Sequence, residues 1–215
     1  TITVEVPGAG GPCLIATATY GSELSEEVQF LRNFRDESVL KTKTGSSFMA
    51  VFNAWYYSFS PGVARFIGEH PAVTTVVKFT LYPPIRILKI GAAVFSLFPT
   101  SLETGAVMSG LVITSLIGAV YAAPALAAFL GCSSRARRIA KKLQLPAIAF
   151  LSGTLAALSF ITALEGPAIL LMVLTSGVVL ASLAMSALFV SLGLLYVAQW
   201  LQHSWPAGLH LHERH

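Results

Sequence analysis

The chain has one thiol and a few imidazoles placed where they could do chemistry. Cys13 follows Gly10-Gly11-Pro12 and could serve as a nucleophile, a point of covalent modification or a processing site. Catalysis would need a base beside it, and the histidine ahead of the long apolar runs is His70, at a His-Pro step. A thiol that is merely packed explains Cys13 as well. Cys132 adjoins a basic cluster at the end of an apolar segment, where cysteines are sometimes acylated or simply structural. In the C-terminal tail, His210, His212 and His215, with His203 upstream, hold enough nitrogen for a weak Zn, Cu or Ni site. Glu213 is the one carboxylate among them, and a solvated tail competes with that reading. Phosphate loop, CxxC, HExxH and paired catalytic carboxylates do not occur in the sequence. The residues therefore name no catalytic group and imply no cofactor.

The elements that must position these residues are mostly apolar. Hydrophobic residues make up 54% of the chain and charged residues 11%, with a mean hydropathy of +0.71; a soluble domain carries about twice that charge. The net charge of +4 is unevenly placed. Acids and bases cancel through residue 103, and the excess comes from Arg135, Arg137, Arg138, Lys141 and Lys142. A basic cluster between apolar segments marks the cytoplasmic side of a membrane rather than a nucleic-acid surface. Gly105–Gly131, Leu143–Leu164 and Ala168–Trp200 are free of Asp, Glu, Lys and Arg, and each reads as a spanning helix. Pro124 is expected to kink the first. Tyr196 and Trp200 fit an interfacial anchor on the third. Ile90–Leu102 is too short to cross and reads as an interfacial or re-entrant helix, with Arg86 and Lys89 reaching toward phosphates. A crossing by that segment, which would place the N-terminal part inside, is the rival topology.

Ahead of these runs the pattern is that of short helices. Ile2, Val4 and Val6 alternate as a short strand, and Pro7 to Pro12 forms a Gly-rich tether. Ser22 can cap a helix bearing Leu24, Val28, Leu31 and Phe34 on one face, with an Arg32–Asp36 pair opposite. Thr44-Gly45-Ser46-Ser47 reads as a break. Phe48, Val51, Phe52, Trp55, Tyr56 and Phe59 then give the best helical register in the chain, a packing stripe more than a cofactor platform. Pro61 and Pro71 each open a further short helix and Pro83-Pro84 ends the last. Thr1 in place of Met is read as the mark of a removed leader, which puts the N-terminus outside the cytoplasm.

The run Cys13-Leu14-Ile15-Ala16-Thr17-Ala18-Thr19-Tyr20-Gly21-Ser22 resembles the CFI-box, a Cys-Phe-Ile-Ala-Thr-Ala-Ala-Tyr-Gly-Ser signature of bacterial and archaeal surface proteins. The likeness extends through Glu27 to Asp36, Phe48, Tyr56 to Pro61, Ala64 and His70-Pro71. It covers about residues 10–85 and is most similar to the archaeal form, which has Leu after the Cys. The resemblance implies a sorting or anchoring module rather than a known activity. Here the box lies near the N-terminus, with most of the chain after it.

The expected fold class is all-α: residues 1–12 a strand and tether, 13–84 a helical module, 85–104 the interfacial segment, 105–201 a three-helix membrane region and 202–215 the tail. Ala106, Gly110, Thr114, Gly118 and Ala122 recur every four positions, as do Gly153 with Ala157 and Gly177 with Ala181. Such ridges let helices approach closely in lipid. Ionisable residues, which coupled transporters need, are missing from the spans. The leading expectation is a non-catalytic membrane subunit or anchor, multi-pass in the cell membrane, in contact with lipids and partner subunits. Its N-terminal module would be extracytoplasmic, its basic loop and tail cytoplasmic. An enzyme or redox or metal accessory using Cys13 or the tail histidines is the alternative, and an oligomeric channel component a further one.

Overall fold

The computed structural model describes residues 13–163 and 166–204, and every regular element among them is helical. The expected strand at residues 1–6 and the histidines of the tail lie outside the described residues. Helix α1 (Leu14–Tyr20) ends where Gly21 takes φ 76° and returns its N–H to Thr17 O, a conformation that favours glycine. Helix α2 (Glu26–Phe34) opens with Glu26 and Glu27 at its positive end and runs into a π turn at Arg35–Val39. Helix α3 (Lys43–Glu69) starts from Thr42, whose hydroxyl accepts the Gly45 N–H at 3.0 Å. A side chain at Gly45 would collide with the Val39 carbonyl of the preceding turn. Helix α4 is Pro71–Ser96. Helices α5 (Leu102–Ile117) and α6 (Ala123–Cys132) form one rod through a π turn at Gly118–Ala122. Helix α7 (Ser134–Ala163) and helix α8 (Ala168–Ser204) complete the chain.

Several boundaries differ from the sequence reading. The second helix begins at Glu26, not after Ser22. The Ser22 hydroxyl instead accepts the Leu24 N–H in a turn that leaves Leu24 82% exposed. Arg32 pairs with Glu23 at 3.1 Å and Asp36 with Arg35 at 2.7 Å, so the expected Arg32–Asp36 pair is absent. Thr44 to Ser47 is no break but the first turns of α3. Pro61 lies inside α3, Pro83 and Pro84 inside α4, and the basic residues 135–142 inside α7 along with Pro146. The short helices and the separate interfacial segment are thus two long helices, and the basic loop is helical.

Proline removes a donor without stopping a helix when a neighbour supplies one. Pro84 leaves the Thr80 carbonyl without its i+4 amide, and the Tyr121 hydroxyl donates to that carbonyl at 2.7 Å. Pro124 deprives Val120 in the same way, and the π turn ahead of it absorbs the misfit.

The α5–α6 rod and α8 run parallel. Thr114 meets Ser182, Gly118 meets Leu183 and Ser186, the Ala123 carbonyl meets Ser191, and Gly131 faces Leu195. Helix α7 packs on α8 through Leu158, Leu171 and Val178, with Leu151, Leu155 and Leu174 around them. Helix α4 lies antiparallel to α5, and α3 packs against α8.

Two segments are long and apolar enough to cross a membrane: Leu102–Cys132, with hydropathy 1.9, and Ala168–Leu201, with hydropathy 2.4. Only 22% of the most apolar stretch in each is buried within the chain. A core helix of a soluble protein would be mostly covered. Helix α7 is not one of the two among the described residues, and five cations occupy its first turns.

Candidate functional site

Cys13 precedes α1, and its surroundings come from stretches distant in sequence. The Tyr56 hydroxyl, from α3, accepts the Ile15 N–H at 3.1 Å, seating α1 on α3. Thr19 turns its hydroxyl back to Ile15 O at 2.7 Å, which leaves the apolar positions of α1 to pack. On the other side, α2 and its π turn bring Arg32, Arg35 and Asp36. Three positions apart on a helix, the two arginines share one face. Burial raises the Cys13 thiol above its ordinary range, while Arg35 and Arg32 pull it down and Asp36 pushes it up.

At neutral pH this is a protonated, half-buried thiol beside two cations. The cations favour an anion at that position once the thiol ionises. His70 is not the base. Its Nδ1 bonds Phe66 O at 2.9 Å and its ring lies against Phe66 at the α3–α4 corner. The groups acting on the thiol are Arg35, Arg32 and Asp36. Sequence spacing did not place these groups at Cys13, because only the packing of α2 on α1, and of its π turn on α3, does so.

The small residues divide into two groups. Thr114 and Gly118 are buried at the contact between the rod and α8, where the Thr114 and Ser182 hydroxyls share a hydrogen bond at 2.5 Å. A Cβ at Gly118 would collide with Ser186 Oγ and the Leu183 carbonyl. Among the described residues, a Cβ at Gly110, Gly153 or Gly177 would meet nothing within 4 Å. Ala122, Ala157 and Ala181 are half-buried. Gly91, outside the predicted ridges, is another point of close approach. Ser109 donates to Gly91 O at 2.8 Å, and the Ile113 side chain fills the space a Cβ would take.

Arg135, Arg138, Lys141 and Lys142 form an exposed band at the start of α7, with Arg137 half-buried beside them and a shallow open depression lined by Ser134, Arg137, Arg138 and Lys141. Arg137 turns back to cap the end of α6, donating to Leu130 O at 3.4 Å and Gly131 O at 3.3 Å. Cys132 is exposed beside this band. Near the other end of the rod, Glu103 receives the N–H groups of Lys43 and Thr44 and the Thr44 hydroxyl, the last at 2.7 Å. That carboxylate ties the positive end of α3 to α5, a role that only the tertiary contact reveals. Among the described residues no group of three His, Cys, Asp or Glu could hold a metal ion; His210, His212 and His215 are not among them. Compared with family models, with curated proteins and with solved structures, the chain matches none.

Proposed function

We propose that this chain is a non-catalytic integral membrane subunit or anchor, which holds partner proteins through the small-residue faces of its membrane helices. The observation that carries the reading is the outward direction of its apolar surface. In the two long apolar segments Met108, Val120, Phe129, Ile169, Val173, Leu180 and Leu194 all face away from the chain's own interior. Water would drive such residues inward, whereas lipid does not.

In this reading α7 is the third span, entering from the basic band. Arg135, Arg137, Arg138, Lys141 and Lys142 lie on the cytoplasmic side with the tail, and the turn between α4 and α5 lies outside. The open faces at Gly110, Gly153 and Gly177 are where a partner helix can approach. Purification from native membranes in a mild non-ionic detergent tests the idea. A defined complex with other membrane subunits is expected, and recovery of the chain alone as a monomer overturns it.

One observation favours a second reading, the pair of guanidiniums beside the Cys13 thiol. A thiol-dependent accessory predicts that Cys13→Ser abolishes an activity while leaving assembly intact. Wild-type behaviour of that variant removes this reading and leaves the anchor untouched.

A further inference from the structure

We propose that the α3–α4 hairpin is itself embedded in the bilayer, traversing it beside α5–α6 with its outer face against lipid acyl chains. The inference rests on the membrane reading above and extends it from the two apolar segments to the preceding helices.

Register is the first argument. The Phe95 carbonyl and ring lie against Gly105, Ser109 donates to Gly91 O at 2.8 Å, and Tyr121 donates to Thr80 O at 2.7 Å. These contacts descend one helix as they ascend the other. Thr80 to Phe95 is therefore at the height of Gly105 to Tyr121, inside the segment Leu102–Cys132 that is long and apolar enough to cross. Glu103 sets α3 at the same end, through the Lys43 and Thr44 amides. The 27 residues of α3 extend about 40 Å at ~1.5 Å each, more than the ~30 Å hydrocarbon core.

Surface chemistry is the second. Trp55, Phe59, Val63 and Phe66 form an exposed stripe on α3, and Val76, Phe79 and Tyr82 another on α4, with Phe79 86% exposed. From Thr44 to Ala64 α3 carries no ionisable group other than Tyr56 and Tyr57. Arg65 and Glu69 fall in its last turns before the corner at His70. The cations of α4 are each met from within the chain. Lys78 lies 5.2 Å over the Tyr20 ring and Arg86 5.0 Å over Tyr82. Lys89 is 3.4 Å from Glu26 and 5.4 Å over Phe30. Such partners reduce the penalty of a cation near lipid. The apolar stripes occur at the height of a lipid-facing rod, so acyl chains are the occupant that the geometry favours over a second protein. The α3–α4 corner then emerges on the same side as the basic band of α7.

The test uses the full chain with Cys13→Ser and Cys132→Ser, carrying one new cysteine at a time: Glu69→Cys, Thr100→Cys or Arg138→Cys. Each is treated with a membrane-impermeant maleimide in sealed vesicles of both orientations. Glu69→Cys and Arg138→Cys are expected to label from one side and Thr100→Cys from the other. Labelling of Glu69→Cys together with Thr100→Cys overturns the embedded hairpin while leaving α5–α6 a span. Labelling of Thr100→Cys and Arg138→Cys from the same side overturns the membrane reading, and this proposal with it. A second measurement keeps Trp55 as the sole tryptophan (Trp200→Phe, Trp205→Phe) in phosphatidylcholine vesicles with brominated acyl chains. Loss of about half or more of the fluorescence is expected. Unchanged emission shows that acyl chains do not cover this face, whatever the labelling pattern, and overturns the proposed occupant.

Discussion

At the scale of single residues, Cys13 and Cys132 test the two environments the fold creates. Cys132 is exposed and Cys13 is half-buried, its thiol raised by burial and restrained by Arg35 and Arg32. In detergent near neutral pH, a small thiolate-directed reagent is expected to modify Cys132 at least several times faster than Cys13. Arg35→Gln removes a charge that favours the thiolate, so Cys13 labelling should slow further and move to more alkaline pH. Unchanged labelling means that the guanidinium does not act on the sulfur. The sign for stability follows from the same shift. A folded-state pKa above the unfolded one holds its proton more tightly in the fold. Its contribution is complete below the ordinary thiol range and is lost as pH rises through the folded value. Cys13→Ser should flatten the alkaline limb of the unfolding profile, read by circular dichroism. Gly118 gives a steric counterpart. Gly118→Ala puts a methyl into Ser186 and the Leu183 carbonyl and should cost about 1–3 kcal/mol. Gly110→Ala meets nothing within 4 Å among the described residues and should leave the fold as stable or slightly more so.

At the scale of elements, the helices that contain proline carry the prediction. Thr80 O is orphaned by Pro84 and accepts from Tyr121. Tyr121→Phe should cost about 1–3 kcal/mol, the penalty of an unsatisfied carbonyl out of water. Pro84→Ala restores the amide, so in that background Tyr121→Phe should cost much less. The coupling of the two changes in a double-mutant cycle, measured by detergent-phase unfolding, is the test; additivity removes the account. Pro83-Pro84 reads as a stop by local rules, since those rules assume water on both sides of the helix. The donor that keeps α4 continuous is a tyrosine in the next helix. A lone Tyr121 within an apolar run was the available signal, but sequence alone does not say which carbonyl it serves. Glu103 is similar: a carboxylate just before a span, whose partners at Lys43 and Thr44 are fixed by the fold.

At the scale of the whole molecule, two kinds of small residue separate folding from assembly. Thr114 and Gly118 are occupied by α8, whereas Gly110, Gly153 and Gly177 have open space. Gly110→Leu, Gly153→Leu and Gly177→Leu should leave the thermal unfolding of the purified chain within about 1 kcal/mol of wild type, as surface changes usually do. If those faces hold partners, the same substitutions should release the chain from its native complex, seen by size-exclusion chromatography in mild detergent. Retention of the complex in all three variants removes the open faces from the interface.

Composition and the spacing of charges by themselves determined the helical class and marked Gly105–Gly131 and Ala168–Trp200, which the structure extends to 102–132 and 168–201, and the basic cluster between them; Leu143–Leu164, read as a third span, is not among the segments long and apolar enough to cross. Those features depend on what each stretch can bury over its own length, which local sequence states directly. The same patterns singled out Thr114 and Gly118 but could not separate them from Gly110 and Gly177, because a small residue looks the same whether its face is occupied or empty. Only the tertiary structure decided that α3 and α4 are continuous through their prolines, that Arg32 and Arg35 rather than His70 meet Cys13, and that α4 lies level with α5. Each of these turns on a donor, a charge or a surface supplied by residues far along the chain, and no periodicity records which distant partner a side chain will meet.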